Sequence, residues 1–172
     1  MRRYFKSALA LFMVTFILFS AGQAAEPVKR PRVAVDFSLK DIKGQVYKLS
    51  NYKNKQAVVL AFWTTWCPFC RQELKSLNAL YRQLQKEGIE VLTINIQEPG
   101  YRVESFAKKN GLSLKILLDF DAKVARDYSI LGVPTFFLVN KQGNINYEGD
   151  HFPKEKYQKL CNTHPKALSG VI

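Results

Sequence analysis

A run of seven apolar residues, Ala57–Trp63, sets the centre of any fold that this chain can adopt. The run is too short for a typical helix and is rich in valine and aromatic side chains, which favours a strand buried on both faces. Apolar residues then recur every three or four positions from Leu74 to Leu84, and Gly88 ends this helical pattern. A second apolar strand follows at Ile89–Ile96. The order strand, helix, strand predicts a parallel, right-handed unit.

Shorter patterns surround this unit. A turn at Asp41–Gly44 predicts an N-terminal hairpin between residues 33 and 49. The turn Asn140–Gly143 joins a β-branched and aromatic strand to a second short strand, which predicts another hairpin. We therefore expect an α/β fold in which helices flank a central mixed sheet. The remaining expected elements are a helix at 103–110, a strand at 115–118, a short helix at 122–128, hairpin strands at 135–139 and 145–147, and a final helix at 153–160.

The first 25 residues have the pattern of an export signal. Arg2, Arg3 and Lys6 precede a nearly uninterrupted apolar run, and small residues follow it up to Ala25. We expect residues 1–25 to be a signal peptide, or an anchor that stays attached and tethers the protein to a membrane through residues 4–20. The folded domain is expected at 26–172, in a periplasmic or other extracytoplasmic compartment.

Length and charge narrow the class of protein. The 172 residues suit one domain, and 47% of them are hydrophobic, which excludes a disordered chain. Lysine and arginine number 26 against 14 acidic residues, for a formal net charge of +12. The basic residues are spread thinly and without interleaved aromatic residues, so they indicate a solvated surface. We expect no nucleic-acid partner.

Two cysteines three positions apart carry the chemistry. Cys67 and Cys70 stand where the first strand ends and the first long helix begins. At this spacing the two sulfurs can approach bonding distance. Unpaired N–H groups at a helix N-terminus stabilise a thiolate, so Cys67 is predicted to be the nucleophile. Cys70, one turn later, is predicted to resolve the mixed disulfide.

Two other interpretations of these cysteines stay open. A structural disulfide suits an oxidising compartment, although a bridge around two residues restrains the unfolded chain little. A metal site could be written from Cys67, Cys70, Cys161 and His164, but no turn pattern brings the second pair near the first. Cys161 is expected to be a buried small side chain or a free thiol, and His151 and His164 to be isolated surface residues. We expect neither a metal nor a cofactor.

A longer pattern around the cysteines resembles the thioredoxin superfamily. It comprises Phe62–Arg71, with the sequence FWTTWCPFCR, and Gly132–Thr135, with the sequence GVPT. The leader Asp36–Leu39 and the extra helix and strand within 97–119 are similar to the exported TlpA/ResA-like branch of thiol-disulfide oxidoreductases. The resemblance implies a thioredoxin-like fold with an N-terminal hairpin and an inserted helix and strand.

The resemblance also implies how substrate is held. Pro134 would be in the cis form and lie against the active-site sulfurs, and Val133 would offer backbone atoms to an extended substrate segment. Trp66 and Pro68, on either side of the first cysteine, are expected to contact substrate as well.

An acidic residue is implied by the same resemblance. Thioredoxin proper carries a buried acid six positions before its first cysteine, where this chain has Ala61. Glu98 instead matches the acid that the TlpA/ResA-like branch places near its cysteines, where it could exchange a proton with Cys70. Without the resemblance, Glu98 beside Pro99 would be interpreted as a solvated loop residue.

The expected function is that of an exported thiol-disulfide oxidoreductase that reduces disulfides in partner proteins. The resemblance implies cytochrome c maturation as a common setting, with electrons supplied by a membrane thiol-transporting donor. A disulfide oxidant or isomerase is the alternative, because the residues between the cysteines do not reveal the direction of transfer. A module that binds a soft metal such as Cu(I) is a third interpretation.

Overall fold

The computed structural model describes residues 31–162. The expectations for residues 1–25, for the tether at 4–20 and for His164 fall outside this range. Within the described range, no helix is long and apolar enough to cross a membrane. The strands are β1 (Arg32–Val33), β2 (Ser38–Asp41), β3 (Val46–Lys48), β4 (Ala57–Trp63), β5 (Ile89–Ile96), β6 (Lys115–Asp119), β7 (Thr135–Val139) and β8 (Asn144–Gly149). The α-helices are α1 (Pro68–Lys86), α2 (Gly100–Lys109), α3 (Lys123–Asp127) and α4 (Tyr157–Asn162), and a 3-10 helix spans Leu49–Tyr52.

The eight strands form one mixed sheet in the order β1-β8-β7-β4-β5-β6-β2-β3. β4, β5 and β6 are parallel, while β7 and β8 on one side and β2 and β3 on the other are antiparallel to their neighbours. The C-terminal ends of β4, β5 and β6 therefore meet at the same edge as the start of β7. That edge holds the cysteine motif.

The central position of β4 follows from its sequence. All seven of its side chains are buried, and they alternate between two hydrophobic layers. Odd-numbered residues from Ala57 to Trp63 face the layer under α1, and even-numbered residues from Val58 to Phe62 face the opposite layer. A strand that is apolar on both faces must be covered on both, which is why helices flank this sheet.

Helix α1 fits its predicted amphipathic pattern. Its buried residues include Leu74, Leu77, Tyr81 and Leu84, which all belong to one core layer. The helix ends at Lys86, and Gly88 adopts a φ of 73°, a left-handed conformation that favours glycine. The strand-helix-strand unit is confirmed, with β4 and β5 paired in parallel from Ala57 opposite Ile89.

The fold class is confirmed, including the N-terminal hairpin and the inserted α2 and β6. The final helix was predicted to begin at Pro153, and this start is wrong. The chain first turns, with the Lys154 N–H donating to the Phe152 carbonyl over 2.8 Å, and α4 begins only at Tyr157. Helix α2 also begins earlier than the predicted residue 103, because Gly100 directly follows the extended Pro99.

Candidate active site

Cys67 occupies the N-cap of α1, directly after the turn that follows β4. Its sulfur accepts a hydrogen bond from the Cys70 N–H over 3.1 Å. Pro68 takes the first helical position, where its missing N–H leaves no donor unsatisfied. The first turn of α1 therefore aims backbone N–H at the Cys67 sulfur, and this arrangement stabilises negative charge there.

The two thiols differ in their surroundings. Cys67 is 4% exposed, whereas Cys70 is 0% exposed. Burial raises the pKa of the Cys70 thiol well above its usual range, and the hydrogen bond with the Cys67 side chain adds to the rise. Both cysteines are thiols in this structure. Cys70 therefore stays protonated until another group of the site accepts its proton.

The loop before β7 lies against the first thiol. The Val133–Pro134 peptide bond is cis, as the resemblance implied. The Val133 carbonyl oxygen accepts a hydrogen bond from the Cys67 sulfur over 3.5 Å. Cys67 and Val133 thus come together although they are 66 positions apart in the chain, and Pro134 follows Val133 directly.

Trp66 and Pro68, the other residues expected to contact substrate, form an exposed rim beside Cys67 together with Phe69, which was not among the expected residues. Trp66 is 71% exposed and Phe69 is 73% exposed, and Pro68 between the cysteines is exposed as well. Large apolar side chains left in water beside a reactive group are typical of a surface that binds another protein. Arg71 does not contribute to this rim, because its guanidinium lies over the Phe106 ring at 5.7 Å.

Glu98 is buried at the end of β5, with only 4% of its surface exposed. Its Oε2 accepts hydrogen bonds from the Thr65 N–H over 2.6 Å and from the Asn95 amide over 2.8 Å, and its Oε1 accepts one from the Thr65 hydroxyl over 2.5 Å. Thr65 stands two residues before Cys67. The interpretation of Glu98 as a solvated loop residue is therefore wrong, because the parallel pairing of β4 and β5 brings this carboxylate under the motif.

Sequence reasoning missed the two residues that hold Glu98. Thr65 and Asn95 carry no pattern of their own, but Asn95 pairs with Trp63 across the β4–β5 ladder. A register counted from Ala57 opposite Ile89 would have placed Asn95 beside the end of β4. Ala61, where thioredoxin proper has its acid, is a buried core residue here.

A groove also missed from the sequence begins at the Val133–Pro134 loop. It has a volume of about 710 Å³. Besides that loop, its lining includes Phe69 and Glu73 from α1, Glu148 from β8, and Asp150 and His151 just after β8. His151 is exposed, as expected, but it is not isolated, because its Nδ1 lies 2.8 Å from the Asp150 carboxylate. Adjacent residues on an exposed turn can pair in this way without any informative spacing.

Comparison with known proteins places this geometry in a family. The AhpC/TSA family matches residues 32–148. This chain belongs to the AhpC/TSA family, within the thioredoxin superfamily. It is 41% identical to the thiol-disulfide oxidoreductase ResA of Geobacillus kaustophilus over 112 residues. These residues cover 65% of this chain and 64% of that relative. The match therefore spans less than two thirds of that relative's length.

Two further relatives are matched over a larger share of their own length. The sporulation thiol-disulfide oxidoreductase A of Bacillus subtilis is 31% identical over 138 residues, which cover 78% of this chain and 82% of that protein. The crystal structure of StoA from Bacillus subtilis matches with a TM-score of 0.64 and 30% identity, over 76% of this chain and 98% of the other. As a member of the AhpC/TSA family, this protein thus has relatives named for thiol-disulfide exchange.

Cys161 lies away from this chemistry in the AhpC/TSA domain. It is buried in the core layer under α1, and burial, followed by the nearby Glu87 charge, raises the pKa of its thiol to about 11. It behaves as a small apolar side chain. Among residues 31–162, no three histidine, cysteine, aspartate or glutamate side chains gather as a metal site would require.

The different environments of the three thiols predict selective alkylation. In the reduced protein at pH 8, iodoacetamide should modify one thiol per chain, at Cys67. Cys70 and Cys161 should stay unmodified, because their raised pKa values keep them protonated, whereas the helix N-terminus favours the thiolate of Cys67. Peptide mass spectrometry identifies the modified cysteine, and unfolding in urea should expose all three. Modification of folded Cys70 as fast as Cys67 would contradict this assignment.

Proposed function

We propose that this protein is a thiol-disulfide oxidoreductase that reduces disulfides in partner proteins. The observation that carries the proposal is the position of the Cys67 sulfur. It lies at the N-cap of α1, within 3.1 Å of the Cys70 N–H and 3.5 Å from the Val133 carbonyl oxygen. The site thus combines a nucleophilic thiol with a second thiol one helical turn away. It also includes a loop beside them that can bind an extended chain.

The proposed reaction has two exchanges. The Cys67 thiolate attacks one sulfur of a partner's disulfide, which forms a mixed disulfide and releases the other partner sulfur as a thiolate. Cys70 then loses its proton and attacks the Cys67 sulfur. The Cys67–Cys70 disulfide forms, and the second partner sulfur leaves and takes up a proton. Two electrons pass from the protein to the partner.

Glu98 is proposed to accept the Cys70 proton. The carboxylate is tied through Thr65 to the turn just before Cys67, so it lies on the motif side of the sheet edge. In the described chain, Oε1 takes only the Thr65 hydroxyl bond, which leaves a lone pair for a proton. Trp66, Pro68, Val133 and Pro134 are proposed to hold the partner segment over Cys67.

Replacement of each proposed group should stop a different step. The probe is a peptide whose single cysteine is linked to thiopyridine, so that attack by Cys67 releases a coloured thiol. Cys67→Ser should lower this release by at least about a hundredfold. Cys70→Ser should still release thiopyridine, but the peptide should stay bound to Cys67, as intact-protein mass spectrometry would show.

Glu98→Gln tests proton transfer in the same assay. Thiopyridine release should persist, while release of the peptide should slow by about tenfold or more, because Gln cannot take the Cys70 proton. Glu104→Gln, on the exposed side of α2, is the matched control and should change neither step. Equal slowing of both steps in Glu98→Gln would argue for a structural role, and reaction in Cys67→Ser would refute the proposed function.

The reducing direction is tested by the reduction potential of the Cys67–Cys70 pair. A reductant that acts in cytochrome c maturation, and that a membrane thiol-transporting donor keeps reduced, should have a potential well below roughly −200 mV. Equilibration of the purified protein with defined thiol buffers gives this value. A potential near about −120 mV would instead identify a disulfide oxidant.

Export to an extracytoplasmic compartment is proposed on the pattern of residues 1–25, a basic start, an apolar run and small residues before Glu26. N-terminal sequencing of the protein recovered from that compartment should begin at Ala25 or Glu26. A sequence that begins with the first residues of the chain would identify a retained tether, and recovery from the cytoplasm alone would contradict export.

A further inference from the structure

We propose that the groove beside the cis Val133–Pro134 bond selects partner segments that carry a lysine or arginine next to the reacting cysteine, and that Asp150 and Glu148 determine this preference. The inference rests on the proposed function, since it names the substrate class for the same site. It is carried by the charges that line the groove.

The fold builds this groove directly beside the reactive thiol. Val133, whose carbonyl oxygen meets the Cys67 sulfur, is one of its lining residues. β8 pairs with β7 so that Gly149 stands opposite Phe136, two residues after Pro134. Neighbouring strands lie roughly 4.8 Å apart. The end of β8 is therefore brought alongside the loop over which an extended partner chain would lie.

The charged side chains of this groove are acidic. Glu73, Glu148 and Asp150 line it, and no lysine or arginine is among the described residues that do so. Phe69 and Leu131, both highly exposed, add apolar surface at its margin. A volume of about 710 Å³ is within the range that accommodates side chains of a bound ligand. An apolar margin around carboxylates suits a chain with a long basic side chain, whose stem is apolar and whose head is charged.

The neighbouring groups within this protein compensate only part of the negative charge of these acids. Arg32 pairs with Glu148 in an exposed ion pair and lies over the Phe137 ring. Asp150 is paired only with His151 in the described chain, and the hydrogen bond from that imidazole lowers the pKa of the Asp150 carboxyl. Asp150 is thus an ionised carboxylate at neutral pH, beside a histidine that is charged only when protonated.

Glu73 supplies a further carboxylate on the opposite wall. Its Oε2 accepts a backbone hydrogen bond from the Phe152 N–H over 3.3 Å, and this neutral donor leaves its negative charge in place. Arg71, two residues before Glu73, does not line the groove, and its guanidinium lies over the Phe106 ring. The side chains that line the groove therefore carry a net negative charge, although the chain as a whole carries a formal charge of +12. The nearest basic side chains after Asp150, Lys154 and Lys156, line a neighbouring pocket that shares Glu73 and His151.

This contrast makes the inference testable, because overall charge and local charge predict opposite preferences. A chain of net charge +12 would attract acidic peptides at long range. Carboxylates in contact with the partner would favour basic ones. An extended chain advances roughly 3.3 Å per residue, so residues directly beside the reacting cysteine lie within reach of the groove.

The test uses three thiopyridine-linked peptides of equal length in which the residues flanking the cysteine are lysine, glutamine or glutamate. The rate constant of thiopyridine release is measured with the full-length reduced protein at about 10 mM and about 500 mM salt. At low salt the lysine peptide should react about tenfold faster than the glutamate peptide. High salt should bring the ratio close to one.

Asp150→Asn should lower this lysine-to-glutamate ratio by about threefold, and Glu148→Gln should lower it in the same direction. Glu104→Gln removes one acidic charge from a residue that does not line the groove and should leave the ratio unchanged. Equal rates for the three peptides, a faster glutamate peptide, or the same loss in Glu104→Gln would overturn the inference alone. Failure of all three peptides to react would overturn the proposed function, and the inference with it.

Discussion

The burial of β4 on both faces of the sheet determines where the reactive thiols lie. Its even and odd side chains pack into separate hydrophobic layers, so a slip of one residue past β5 or β7 would exchange the two sets and disrupt the packing of both layers. The end of β4 is thereby fixed against the start of α1, and the short turn between them delivers Cys67 to the helix N-cap. Because core packing and chemistry depend on the same strand, changes in the β4 core would move the sulfur as well as lower stability.

Several polar atoms are buried near the cysteine motif, although apolar side chains there would give a more stable protein. A carboxylate without partners is costly to bury, and three hydrogen bonds from Thr65 and Asn95 offset that cost for Glu98. Within residues 31–162, the Trp63 indole N–H, the Thr64 hydroxyl and the Asn95 amide oxygen are buried without hydrogen-bond partners. Apolar side chains would avoid this cost. Such concentrations of unsatisfied groups are expected where function constrains the sequence.

The central strands Ala57–Trp63, Ile89–Ile96 and Thr135–Val139 could be predicted because β-branched, aromatic and other apolar residues dominate each of them. Only in Ala57–Trp63 is the apolar run unbroken, and the burial of Glu90, Thr93 and Asn95 could not be inferred from their residue types. The position of Cys67 and Cys70 at the strand–helix junction could be predicted from their spacing of three residues and the patterns on either side. Glu148 and Asp150 could not be placed in this way, since their position depends on how β8 pairs with β7. That ladder shifts by one residue between Leu138 and Val139. A pairing register extrapolated from the Asn140–Gly143 turn without this shift would therefore assign the later residues of β8 to the wrong face of the sheet.

The separation of charge between the groove and the rest of the surface suggests at which stage partners are distinguished. At physiological ionic strength, interactions between exposed charges are screened over roughly 8 Å, so the excess of basic residues has little influence on a distant partner. The carboxylates of the groove act over shorter distances, beside the loop that contacts Cys67. Selection would then occur only when a partner segment already lies along Val133 and Pro134. Since the same contact positions the partner's disulfide for attack, a mismatch in charge would lower the rate of exchange itself.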